Sequence, residues 1–110
     1  MYLPEIFKAF TEEHSEIVNA YRRVGELCSQ AGPIDEKTRH LIQLGIAVGT
    51  GSKGGVRSHA RRALEAGASE KEIVQAVLLS MTMVGFPAMM AAYEWVQDAL
   101  TAKDLGRAPG

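Results

Sequence analysis

The sequence predicts an all-α protein of about five helices. Three observations predict it. Apolar residues recur every three or four positions through most of the chain, Gly-Pro and Gly-Phe-Pro breaks divide those stretches, and no stretch alternates apolar and polar residues as a half-buried strand would. No internal repeat is visible.

The first helix is expected from about Pro4 to Gln30, because Phe7, Phe10, His14, Ile17, Tyr21, Val24 and Cys28 form one continuous stripe. It stops at Ala31-Gly32-Pro33, where glycine can turn the chain and proline cannot prolong a helix. Asp35 is a good N-cap for the second helix, whose later part is apolar on nearly every side and is therefore expected to be central. The third helix is read from Gly55 to Gly67. Val56, His59, Ala60, Ala63 and Leu64 share one face of it, and Arg57, Arg61, Arg62 and Glu65 lie mostly on the other, a solvated one. Ser69 and Glu72 have capping-box spacing at the start of the fourth helix, which makes this the clearest boundary in the chain. The fifth helix runs from Pro87 to about Thr101.

At 110 residues the chain is expected to form one domain, 1–101, followed by a frayed tail, 102–110. Apolar residues make up 46% of it and the formal net charge is −1, so no nucleic-acid surface is expected. Cys28 is the sole cysteine, which excludes an internal disulfide and any two-cysteine redox centre within one chain. The stretch from Ile73 to Tyr93 has no charged residue and about the length of a membrane span, but Gly85 and Pro87 interrupt it and Gln75, Ser80 and Thr82 lie within it. It reads as buried helices, with surface shared between subunits. Glu5, Lys8, Glu12 and Glu13 break the apolar run that a secretory signal needs, so the cytoplasm is the expected location, without membrane partners.

Chemistry concentrates around a glycine-rich segment, Gly49 to Gly67. His40 lies one turn into the second helix and His59 one turn into the third. A helix N-terminus favours the neutral imidazole, which suits acid–base work near neutrality, although a buried histidine bonded to a backbone carbonyl fits the position of His59 equally well. His14, on the apolar stripe, reads as a core or interface histidine. Backbone N–H groups of Gly54 and Gly55 could face an anion with Lys53 supplying charge, or the glycines could simply let two helices reverse closely. No nucleotide-loop spacing is present, and no metal-ligand pattern is recognised.

Residues 34–100 carry "KTRHL", "HARRALEAGASEKEI" and "GFPA" in an order that resembles the carboxymuconolactone decarboxylase family, which also contains the AhpD-like alkylhydroperoxidases. The resemblance implies an AhpD-like fold around a helical hairpin, assembled as a trimer or hexamer with sites near subunit boundaries. The peroxidase branch works through Cys-x-x-Cys-x-x-x-His with a glutamate twelve residues before the first cysteine. At those positions this chain has Ser52, Gly55, His59 and His40, so peroxiredoxin activity is not expected despite the family tie. Cys28 lies in another helix and is expected to be a buried thiol, or at most to cross-link two chains. The chain is closer to the decarboxylase branch, whose members often carry a histidine and a glutamate where this chain has Gly54 and Gly55.

That branch implies a cofactor-free lyase that releases CO2 from a small carboxylated lactone or related acid. It would use His59 as proton donor, His40 to orient or relay, and Arg39, Ser52 or Lys53 to hold the carboxylate. A non-catalytic oligomeric binding or structural protein of the same fold is the alternative from another class. Convergence of His40 and His59 on one pocket is the feature that separates the two.

Overall fold

Backbone hydrogen bonding organises residues 5–104, the part of the chain that the computed structural model describes, into seven helices: α1 Glu5–Glu13, α2 Ser15–Ser29, α3 Glu36–Thr50, α4 Lys53–Glu65, α5 Glu70–Leu79, α6 Met81–Val84 and α7 Phe86–Asp104. There is no strand among the described residues. The all-α expectation therefore holds, and the count of about five rises to seven for two local reasons. The first helix is divided at His14, whose φ of −128° and ψ of 49° are not helical. The apolar segment after Val77 is divided at Ser80 and again at Gly85, whose φ of +93° a side-chain-bearing residue rarely adopts. Beyond Asp104 the expected tail lies outside the described residues.

The chain forms two compact units, Met1–Pro33 and Ile34–Gly110. In the first, α1 and α2 carry the amphipathic stripe read from the sequence, yet only Val18 is buried, and Phe7, Phe10, Ile17, Tyr21, Val24 and Leu27 are exposed. His14 packs its ring against Phe10 at 4.8 Å between centroids and remains half exposed, so it is not a core histidine. Cys28 is likewise exposed, against the expectation of a buried thiol.

The second unit is built on the α3–α4 hairpin, with α5 against α3, and α7 against both α4 and α5. Its starts are set by side chains. Asp35 accepts a hydrogen bond from the Thr38 backbone N–H and a 2.6 Å bond from the Thr38 hydroxyl, which holds its carboxyl below the usual carboxylate range. Ser69 and Glu72 form the expected reciprocal capping box, and the same Glu72 takes an ion pair from Lys37 at 3.2 Å, tying α5 to α3. Leu44, Val56, Ile73, Val77 and Val96 are completely buried, and each such side chain stabilises the fold by about 1.5–3 kcal/mol. On α4 the buried face is Val56, Ala60 and Ala63, small residues that suit close helix packing. The later part of α3 is only half central: Leu44, Ala47 and Val48 are buried, whereas Ile46 is 60% exposed. Among the described residues no helix is long and apolar enough to cross a membrane.

Candidate active site

The hairpin turn is shorter than its glycine content suggests. Gly51, at φ +69°, closes α3 in the left-handed conformation, and Ser52 already begins α4 as its N-cap. The turn thus occupies two residues, and Lys53, Gly54 and Gly55 are helical, which moves the start of α4 two residues earlier than the sequence reading placed it. Ser52 Oγ accepts the Gly55 N–H at 3.0 Å. A Cβ on residue 55 would lie 2.8 Å from that Oγ and 3.1 Å from Ala47 Cβ, so glycine is needed there for the cap and for contact with α3. No comparable crowding exists at Gly54.

The two sequence-selected histidines meet. His40 on α3 and His59 on α4 place their Nδ1 atoms 3.3 Å apart, with ring centroids 5.5 Å apart and planes tilted by 33°. That centroid distance is nearly the N···N separation plus one ring radius at each end, so the two nitrogens face head-on. With both rings neutral, this contact is a hydrogen bond when one Nδ1 carries the proton and the other accepts it, since two lone pairs would repel and two N–H groups would clash. Both rings are partly buried. Burial is the largest influence pulling both imidazoles below their ordinary range, and the Arg62 guanidinium is the second. Arg39 adds to the lowering at His40, where Glu36 and Glu65 oppose it. The pair is therefore neutral near neutrality. The direction agrees with the helix-terminus argument, but burial and Arg62 cause it.

Arg62 is the residue that sequence reasoning left on a solvated face. It follows His59 by three positions, which places both on one side of α4, and that spacing was the available signal. Arg39 is next to His40, and its Nη1 donates to the Ile34 carbonyl at 2.7 Å. The remaining selected residues are elsewhere. Lys53 precedes His59 by six helical residues, roughly 9 Å along the axis, and Ser52 and the Gly55 N–H are bonded to each other.

A second feature of the same unit was not anticipated. A groove of about 470 Å³ runs between α3, α5 and α6, lined by Leu41, Ile42, Gly45, Gly49, Ala76, Leu79, Met83 and Val84, with polar groups from Thr38, Glu72, Gln75 and Ser80. Neither histidine lines it. Gly45 and Gly49, four apart on α3, are the sequence signal that marks it in retrospect. Among the described residues no three His, Cys, Asp or Glu side chains gather as a metal-ligand set.

Comparison with known proteins fits this architecture. The chain matches the family model for the carboxymuconolactone decarboxylase family over residues 15–98. No curated protein sequence matches it. Among solved structures it is similar to the apo crystal structure of a carboxymuconolactone decarboxylase family protein from Legionella pneumophila. The TM-score is 0.74 with 23% sequence identity, over 83% of this chain and 81% of that one, a likeness of fold. With most of its length matched by the family model and its helices arranged as in that structure, the chain belongs to the carboxymuconolactone decarboxylase family.

Proposed function

We propose that the protein is a cofactor-free acid–base enzyme, a carboxy-lyase for a small carboxylated lactone or a related organic acid, with the His40–His59 pair as its proton-transfer centre. The head-on contact between the two Nδ1 atoms at 3.3 Å carries this reading. Loss of CO2 breaks a C–C bond and leaves its electron pair spread onto the lactone carbonyl, and the carbon must then take a proton. His59 is the donor, and the net reaction draws that proton from solvent. Arg62 and Arg39 supply positive potential for the substrate carboxylate and the developing enolate. A bound carboxylate offsets the charge of Arg62 and so favours protonation of the dyad, which burial otherwise suppresses.

Thiol-dependent peroxide reduction is not part of the proposal, because Ser52 and Gly55 stand at the thiol positions and cannot form an exchangeable disulfide. A homo-oligomer is part of it, supported by the exposed Ile46, Leu79, Met83 and Phe86. Light scattering on the purified protein would read that state directly.

The test is ultraviolet detection of γ-carboxymuconolactone loss, with peroxide reduction assayed in parallel. Lactone turnover is expected, and His59→Ala should lower kcat/KM by roughly 10²–10⁴-fold, the usual contribution of a positioned acid or base. Turnover that survives His59→Ala sinks the assignment of the donor. Absence of turnover on lactones and related acids favours the non-catalytic reading of the fold.

A further inference from the structure

The proton between the two Nδ1 atoms can belong to either ring, and the two arrangements leave different nitrogens free. If His40 donates, its own Nε2 carries a lone pair. If His59 donates, the lone pair is on His59 Nε2 and His40 keeps an Nε2–H. Surrounding charges make these unequal. Glu36 precedes His40 by one helical turn and places Oε2 3.9 Å from His40 Nε2. A lone pair facing that carboxylate is repelled, whereas an N–H is attracted. On α3 the other charge near the pair is Arg39, whose guanidinium is turned to the Ile34 carbonyl, and from α4 Arg62 and Glu65 act on it. At 3.9 Å the Glu36 carboxylate is too far for a hydrogen bond but close enough for its charge to act on His40 Nε2.

We infer that Glu36 is a positioning residue that holds the pair in one tautomer: Nε2–H on His40, Nδ1–H on His59, and a free lone pair on His59 Nε2. On the acid–base reading of this site, His59 Nε2 is then the atom that exchanges protons with substrate. A proton arriving there makes His59 an imidazolium. Its Nδ1 proton can shift to His40 Nδ1, which places the positive charge beside Glu36 and leaves His59 neutral with Nε2–H. Donation to carbon reverses the shift, the substrate carbon gaining the Nε2 proton and the pair returning to its starting tautomer. No cofactor, metal or redox partner enters this balance.

Imidazole ¹⁵N spectra recorded through the two-bond couplings identify tautomers without any substrate, so the inference can be tested whether or not the lactone assay succeeds. Near pH 8, above the ordinary imidazole range, the wild-type protein should show His40 as the Nε2–H form and His59 as the Nδ1–H form. Glu36→Ala should shift both rings toward the opposite forms and leave His14 unchanged. Glu36→Asp, which keeps the carboxylate, should restore part of the bias. Glu36 is exposed and Asp35 still caps α3, so both variants should keep the fold, and circular dichroism checks it. Opposite or equally mixed tautomers in the wild type, or spectra unmoved by Glu36→Ala, overturn the inference. In active enzyme Glu36→Ala should reduce kcat roughly tenfold, below the His59→Ala loss, with KM little changed and the pH profile displaced to lower pH. An unchanged profile would assign Glu36 a purely structural role.

Discussion

Two faces of α3 show opposite ways of using a helix. One bears His40, closed over by His59 of α4 and ringed by the charges of Glu36, Arg39 and Arg62. Another bears Leu41, Ile42, Gly45 and Gly49, apolar or lacking side chains, and opens onto the 470 Å³ groove. The difference separates room from reactivity. Space for an apolar molecule lies where nothing titrates perturbed except Glu72, and the paired imidazoles do not line it. Glu72 itself is held below the carboxylate range, first by the Ser69 N–H of its capping box and next by Lys37, which is a structural role.

Glycines on the two sides provide the sharpest way to break this comparison. Gly55→Ala should destabilise the protein by about 1–2 kcal/mol, because the new Cβ displaces the Ser52 cap and presses on Ala47, as measured by the urea unfolding midpoint. A neutral result would mean that the hairpin is looser than its geometry implies. The same change at Gly45 or Gly49 should have the opposite sign. A Cβ there meets nothing within 4 Å, so replacing a helical glycine should raise stability by about 0.5–1 kcal/mol per site. If the chemistry belongs to the histidine face, these two variants keep their turnover. Loss of turnover in both, with stability raised, would move the substrate to the groove.

The smallest expected effect is a pH dependence of stability. His40 and His59 titrate below the ordinary value of 6.5 in the folded protein. As pH falls through 6.5 the unfolded chain takes up their protons first, so stability is fully present above that value and is lost as pH falls toward the folded-state range. Urea midpoints at neutral and mildly acidic pH should therefore differ, and His40→Gln should flatten the difference. An unchanged slope in that variant would show that other groups carry it.

Much of this was legible in the residues. Asp35, Ser69 and Glu72 announced two helix starts correctly, since capping is a matter of side chains within three residues of one another. His40 and His59 were singled out as one unit. The break at His14 was not legible, because the apolar stripe continues across it without glycine or proline to signal a stop. The N-cap role of Ser52 Oγ was not legible either, and the glycines after it suggest a longer turn than the two residues it occupies.

The helical class, the capped helix starts at Asp35 and Ser69, and the family follow from the residues alone, because periodicity and caps act over a few residues and survive in any tertiary setting. Tertiary packing was needed to bring the Nδ1 atoms of two imidazoles nineteen positions apart to 3.3 Å, to add Arg62 to their surroundings, and to leave one side of α3 open. Those outcomes depend on the closeness with which Ala47 and Gly55 let α3 and α4 approach, and a distance between helices is a property of packing that no local pattern encodes.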